Sequence, residues 1–196
     1  MIVDEVQTAF CRCGAMSASE VYGVEPDIIV LGKSIGAGLP LTAAVATPEY
    51  GHLLPWEYGF TQAGNTLACS AGLAMIEEME AEDLAGNARR MGAILTGRLL
   101  EIQERSTLIG QVRGPGLMIG VDLVRDRATR EPANTEAAAV VNEAFRRGLL
   151  IGRSGPVFGA LGNVVKFKPA VNCTEDEVAE MADKFAAALA AVEATL

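Results

Sequence analysis

Residues 27–32 are apolar except for Asp27, and they lead directly into a lysine and a glycine-rich turn. Lys33 follows the run directly, and Gly36, Gly38 and Pro40 come next. A strand that is apolar at nearly every position is typical of a sheet covered on both faces, because neither side of the strand meets water. The glycines and the proline predict a turn after the lysine. The pattern therefore predicts an α/β fold in which Lys33 stands at the end of a buried strand.

A second apolar segment, residues 1–4, ends in the carboxylate of Asp4. A lysine amine and a carboxylate at the ends of two buried strands are what a pyridoxal 5'-phosphate (PLP) enzyme needs. The lysine forms a Schiff base with the cofactor aldehyde, and the carboxylate keeps the pyridine nitrogen protonated. We interpret Lys33 as the cofactor lysine and Asp4 as the pyridinium partner. A surface lysine and a strand-end cap are the alternative roles of the two residues.

Composition excludes several classes of partner. The chain has 196 residues, half of them hydrophobic, and a formal charge of −9. Nucleic acids and anionic membranes attract basic surfaces, so neither is an expected partner. No apolar run reaches the roughly 18–20 residues of a membrane span, and the first residues do not resemble a signal peptide. The cysteines lack zinc-like spacing, so we expect free thiols, no metal site and a cytoplasmic location.

Hydrophobic periodicity predicts the elements along the chain. Strands are predicted at residues 1–4, 27–32, 41–47, 109–113, 117–124, 149–151 and 164–168. Helices are predicted at residues 65–80, 82–105, 134–147 and 174–192, the last beginning at a capping box of Thr174 and Glu177. Residues 152–162 are predicted to form a long loop on the substrate side.

Six blocks of the sequence resemble the class III (ornithine/ω-amino acid type) PLP-dependent aminotransferases, which have fold type I. They occur in the family's order, at residues 2–8, 27–33, 61–69, 112–118, 164–169 and 174–177. The resemblance implies a homodimeric enzyme that moves an amino group between an amine or amino acid and an oxo acid. It also implies that the chain corresponds to the carboxy-terminal half of a longer protein. Residues 1–98 would then belong to the large cofactor domain and residues 99–196 to a small domain.

The resemblance assigns three further site residues. Gln7 matches the residue that hydrogen-bonds the phenolic oxygen of PLP, a task that suits an amide donor. Thr61 matches a threonine that binds the cofactor phosphate across the dimer interface, its alternative being a loop residue or helix cap. Lys166 stands where many relatives have an arginine that grips the substrate carboxylate, so its geometry toward a carboxylate should differ. Two solvated lysines, Lys166 and Lys168, are the alternative.

Glu5 is expected to be structural, because strand alternation points its side chain away from that of Asp4. Ala9 stands where the family signature usually has glycine, a mild change unless that position needs a positive φ.

The segment around Lys166 resembles most closely the alanine–glyoxylate type and phospho-lyases of amino-alcohol phosphates. A lyase that eliminates phosphate would use the same early steps as a transaminase, so these residues leave both reactions open. An inactive, truncated fragment is a further alternative.

Overall fold

A computed structural model describes residues 1–54, 56–57, 59–154 and 162–196 of the chain. Internal contacts divide the chain into two compact units, residues 1–88 and residues 89–196. The division falls within a long helix, α3 (Leu84–Arg105). The domain boundary after residue 98, which the sequence predicts in the same helix, stays a prediction.

The first unit contains a three-stranded sheet formed by β1 (Ile2–Asp4), β2 (Ile28–Leu31) and β3 (Ala43–Ala46), in that order. β1 and β2 run parallel, with Asp4 opposite Val30. β3 runs antiparallel to β2. Because β1 and β2 are parallel, their carboxyl ends lie at the same edge of the sheet.

Three helical segments accompany this sheet: α1 (Ala18–Tyr22), a 3-10 helix (Lys33–Gly36) and α2 (Thr66–Ala81). Ser17 and Asn65 cap the first turns of α1 and α2, each accepting a backbone N–H three residues ahead. Such caps satisfy amides that have no partner inside a helix. The sequence predicts α2, but α1 is too short to show a periodic pattern.

The second unit contains an antiparallel sheet. Its strands are, in spatial order, β4 (Ile109–Arg113), β5 (Ile119–Asp126), β8 (Val164–Phe167) and β7 (Gly152–Arg153), and β6 (Glu131–Pro132) pairs with the end of β5. Alternate residues of β5 and β8 are buried: Ile119, Val121, Leu123, Val165 and Phe167. Two helices, α4 (Asn134–Arg146) and α5 (Glu175–Glu193), complete the unit. The rings of Phe167 on β8 and Phe185 on α5 pack edge to face, with their centroids 5.1 Å apart.

One predicted strand is wrong. Residues 149–151 are not a strand, and β7 begins only at Gly152. The backbone N–H of Leu149 donates to the carbonyl of Ala144 at 2.9 Å. The amide therefore closes the end of α4 and is not available to a sheet. The predicted loop at residues 152–162 begins as β7, and its residues 155–161 lie outside the described part.

None of the four cysteines forms a disulfide within the described residues. Within the described ranges, no helix combines the length and the apolar character needed to cross a bilayer.

Candidate active site

Asp4 and Lys33 lie at the carboxyl ends of the two parallel strands. Asp4 is the last residue of β1 and pairs in register with Val30 of β2. The ladder continues one residue further, because the N–H of Glu5 donates to the carbonyl of Val30 at 2.9 Å. Lys33 follows Val30 by three residues, just past the end of β2. The parallel pairing therefore places both predicted residues at one edge of the sheet.

Lys33 has an unusual backbone conformation. It opens the 3-10 helix with φ at 51°, in the left-handed region that side chains other than glycine rarely adopt. Such conformations are held by surrounding structure and concentrate at functional sites. The side chain is exposed, and no described residue accepts a hydrogen bond from its ammonium or forms an ion pair with it. Lys33 is thus both sterically constrained and chemically available.

Gly32 sits in a narrow space before Lys33. A Cβ built on Gly32 would lie 3.3 Å from Val6 Cγ1 and 3.6 Å from Thr42 Cγ2. The Val6 side chain would have to give way by a few tenths of an ångström to admit a Cβ, whereas the distance to Thr42 is an ordinary van der Waals contact. The chain before Lys33 therefore passes close to Val6.

Lys33 borders an open depression of about 920 Å³. A volume of this size is within the range of small-molecule and cofactor sites. Polar groups of the lining include Lys33, Thr42 and Gln62. Sequence reasoning missed Thr42 and Gln62, because their approach to Lys33 depends on the pairing of β3 with β2 and on the turn before α2.

Asp4 retains capacity to accept hydrogen bonds. Its Oδ1 accepts the N–H of Val6 at 3.0 Å, and the side chain is exposed. Oδ2 has no partner within the residues that the structure covers. A carboxylate oxygen without a partner suits a protonated pyridine nitrogen, and an amine without a partner suits an aldehyde. The chemistry of Asp4 and Lys33 is therefore compatible with the two ends of PLP that the sequence analysis assigns to them, although Asp4 is not part of the lining of the depression beside Lys33.

Gln7 and Thr61 are exposed residues of turns in the same unit. Gln7 lies in the turn after β1. Thr61 lies between Phe60 and Gln62, which line the depression, but is not part of the lining itself. Asn65 caps α2 through its Oδ1, which accepts the N–H of Ala68 at 3.1 Å, so its role here is that of a helix cap.

Lys166 belongs to the second unit. It is partly exposed on β8, and its cross-strand neighbours on both sides are glycines, Gly120 of β5 and Gly152 of β7. No partner for its ammonium occurs in the described ranges. Lys166 and Lys168 contribute to the lining of a small depression of about 200 Å³. The surroundings of Lys166 therefore leave room for an anion beside its ammonium group.

Comparisons with known proteins identify the family. The model of the family described as aminotransferase class III matches residues 1–189. A leucine/methionine racemase of Thermococcus litoralis is 42% identical over 194 residues, covering 98% of this chain and 42% of that protein. A diaminobutyrate–2-oxoglutarate aminotransferase of Haemophilus influenzae is 41% identical over 191 residues, covering 94% of this chain and 41% of that protein. The chain thus spans less than half the length of these relatives.

Solved structures agree in fold. An amine transaminase from an uncultivated Pseudomonas species, in its PLP-bound form, superposes with a TM-score of 0.87 at 38% identity, covering 97% of this chain and 44% of that one. An Arthrobacter phospholyase in complex with phosphoethanolamine gives a TM-score of 0.86 at 34% identity, covering 96% of this chain and 44% of that one. The predicted α/β fold and the predicted family are both confirmed. The chain belongs to the class III aminotransferase family.

Proposed function

We propose that this chain carries the central catalytic residues of a PLP-dependent aminotransferase, which moves an amino group between an amine or amino acid and an oxo acid. The observation that carries the proposal is the placement of Lys33, strained and without a partner, at the same sheet edge as Asp4. The PLP-bound transaminase among the structural matches supports the choice of cofactor.

Each residue has a defined task in this proposal. Lys33 Nζ binds the cofactor aldehyde covalently and, once released by a substrate amine, accepts and returns the proton of the substrate carbon. Asp4 holds a proton at the pyridine nitrogen through its free carboxylate oxygen. Bound PLP supplies an electron sink for the charge that develops on the substrate carbon. Gln7 donates to the phenolic oxygen, and the hydroxyl of Thr61 binds the phosphate of the other subunit in a homodimer.

Lys166 is proposed to bind the acidic group of the substrate. A lysine offers a point charge without the bidentate fork of arginine, so it recognises a carboxylate or phosphate with less directional selectivity. We place the whole protein in the cytoplasm, with small-molecule amines and oxo acids as its substrates.

A lyase acting on a phosphorylated amino alcohol is the second candidate. The unpaired Lys166 between two glycines and the match to a phosphoethanolamine-bound phospholyase favour it. Turnover of phosphoethanolamine with release of phosphate would identify the lyase, whereas transfer of an amino group to an oxo acid would identify the transaminase. Because a racemase is among the relatives, the assay should also follow the enantiomer of each amino acid offered.

The first test maps the lysine that takes up the cofactor. The chain is mixed with PLP, reduced with borohydride and digested for mass spectrometry. We expect specific labelling of Lys33, its loss in Lys33→Ala, and the same labelling of Lys33 as in the unaltered chain in the control Lys184→Ala. Labelling spread evenly over the lysines, or unchanged in total by Lys33→Ala, would contradict the assignment.

Asp4→Asn tests the pyridinium partner. An amide cannot balance a positive ring nitrogen, and a charge-assisted hydrogen bond contributes roughly 1.5–3 kcal/mol. We expect the dissociation constant of PLP, measured by absorption titration, to rise by about tenfold or more. Glu20→Gln, an exposed carboxylate change in the same unit, should leave the constant unchanged; equal constants for Asp4→Asn and the unaltered chain would remove Asp4 from the site.

A further inference from the structure

Glu5 is the only buried carboxylate among the residues that the structure describes, at 1% exposure. It follows Asp4 directly, and strand alternation sends its side chain to the opposite side from the exposed Asp4. Removing an ionised carboxylate from water costs several kcal/mol, which must be offset by partners. A buried charge beside a candidate catalytic residue therefore requires a structural explanation.

Hydrogen bonds satisfy the Glu5 carboxylate completely. Oε1 accepts the N–H and the hydroxyl of Ser19, both at 2.7 Å. Oε2 accepts the N–H of Ala18 at 3.1 Å and the hydroxyl of Thr8. No ion pair of Glu5 occurs within the described ranges. Burial raises the pKa of Glu5, but the hydrogen bonds from Thr8, Ser19 and Ala18 outweigh it and hold the pKa below its usual value, so the group stays ionised.

The backbone of Glu5 is bonded on both sides. Its N–H donates to Val30 of β2 at 2.9 Å, and its carbonyl accepts from Thr8 at 3.3 Å and from Ala9 at 3.1 Å. One residue thus joins three pieces of the unit: the end of β1, the turn that carries Gln7 and the first turn of α1.

The loop between these pieces is strained. Phe10 and Cys11 are buried and have φ values of 58° and 66°. Ala9, in contrast, does not have a positive φ, so the replacement of the family glycine there causes no strain of this kind. Left-handed conformations of such residues are energetically unfavourable and persist only where surrounding contacts impose them. The Glu5 carboxylate bonds to Thr8 before the strained pair and to Ala18 and Ser19 after it, so it closes the loop across its ends.

We propose that Glu5 is a positioning residue, which closes the loop of residues 6–17 and thereby fixes Asp4 and Gln7 in the orientation that receives the cofactor. The proposal rests on the proposed function of Asp4 and Gln7. Among the described residues, the Asp4 side chain itself contributes one bond to this loop, from the N–H of Val6. Without the Glu5 carboxylate, the loop would keep its local backbone bonds and the bond from the Phe10 N–H to the Met16 carbonyl at 2.7 Å, but the turn after β1 would lose its direct side-chain bonds to the first turn of α1.

Glu5→Gln is the direct test. Glutamine keeps the size of the side chain, but its NH2 group would face the backbone N–H of Ala18 or of Ser19, which cannot accept a hydrogen bond, so at least one of the bonds is lost. Two kinds of measurement are compared. The first is hydrogen exchange of the Val6, Thr8 and Ala9 amides. The second is cofactor binding, followed by the dissociation constant of PLP and by the pH titration of the visible absorption of bound PLP. The three amides bond to Asp4 and to the Glu5 carbonyl, so none of them uses the Glu5 carboxylate.

Ser17→Ala is the matched control. The Ser17 hydroxyl caps α1 by accepting the N–H of Glu20 at 3.2 Å, without contact to the Glu5 carboxylate. Its loss should destabilise the same helix and speed exchange at Glu20, while Val6, Thr8 and Ala9 exchange as before. Ser19→Ala removes one hydroxyl donor and leaves the other bonds, so it provides a milder variant if Glu5→Gln fails to fold.

We expect Glu5→Gln to speed exchange of the three amides by about tenfold or more, to weaken PLP binding to a similar extent and to shift the absorption titration in the direction of Asp4→Asn. Ser19→Ala should give smaller changes of the same kind. Unchanged exchange at Val6, Thr8 and Ala9, or an equal effect of Ser17→Ala on PLP binding, would overturn the positioning role. Failure of the unaltered chain to be labelled at Lys33 would count against the proposed function, and the exchange comparison would still decide the role of Glu5.

Discussion

At the scale of single residues, the turn after β2 is bounded by two residues in a conformation that favours glycine. Lys33 opens the 3-10 helix with φ at 51°, and Ala37 ends it with φ at 50°. Lys33 has a chemical reason to keep its side chain in the proposed function, because its amine is the group that we propose binds the cofactor aldehyde. Ala37 is exposed and carries no group that the proposed reaction uses. Strain at Ala37 can therefore be relieved without loss of function.

Ala37→Gly should stabilise the chain by about 0.5–1 kcal/mol, because glycine adopts the left-handed region without steric strain. Glycine also has more conformational freedom in the unfolded chain, which offsets only part of this gain. Urea unfolding at neutral pH measures the difference. Ala74→Gly, at an exposed position inside α2, is the opposite case and should cost about 1 kcal/mol. A lower stability of Ala37→Gly would show that the strain at this position is not real.

At the scale of elements, the packing of α3 depends on one of its glycines and not on another. A Cβ at Gly92 would clash with the backbone carbonyl of Gly116, in the loop between β4 and β5. A Cβ at Gly97, five residues further along the helix, would meet nothing within 4 Å. Both glycines lower the intrinsic stability of the helix, but only Gly92 allows a backbone to approach closely.

Gly92→Ala and Gly97→Ala should therefore change stability in opposite directions. Overpacking against a backbone that cannot yield should cost roughly 1–3 kcal/mol at Gly92, whereas alanine at Gly97 should gain up to about 1 kcal/mol from helix propensity. Thermal unfolding followed by circular dichroism compares the two. The same sign for both substitutions would contradict the close contact between α3 and the loop.

At the scale of the whole molecule, carboxylates with lowered pKa values occur in both units. Glu5 belongs to the first unit, where hydrogen bonds outweigh the effect of burial. In the second unit, the hydrogen bond from Arg125 lowers the pKa of Glu136, the hydrogen bond from Arg146 lowers that of Glu143, and the backbone N–H of Thr129 lowers that of Asp126. Both units should therefore respond to acid.

The sign of the response follows from linkage. A carboxylate whose folded pKa is lowered binds protons more weakly when folded, so its contribution to stability is present above its unfolded pKa, about 4–4.5, and is lost as the pH falls through the folded value. We expect these groups to leave the urea concentration at the unfolding midpoint unchanged between about pH 6 and 8. At pH values below about 4.5, the midpoint concentration should decrease. Glu5→Gln should reduce the acid dependence of the first unit. A midpoint that rises on acidification would contradict the lowered pKa values.

The sequence predicts much of the local structure correctly, because hydrophobic periodicity and capping chemistry are local. The helix at residues 65–80 is found as α2, and Thr174 and Glu177 form both bonds of the predicted capping box. The alternation that separates an exposed Asp4 from a buried Glu5 is also confirmed. The sequence does not predict α1, because its five residues are fewer than two helical turns. It places a strand at residues 149–151 and not at β7, because the apolar residues there do not show that the amide of Leu149 bonds to the end of α4.

The sequence by itself determined the family, the order of most elements and the choice of Lys33 and Asp4, since all three depend on residue types at fixed spacing. Only the tertiary structure decided that β1 and β2 pair in parallel while β3 reverses, that Lys33 takes a left-handed conformation, and that the Glu5 carboxylate spans a loop to reach α1. Strand pairing and backbone strain depend on contacts between residues far apart in the chain, and a pattern read along one segment does not contain them.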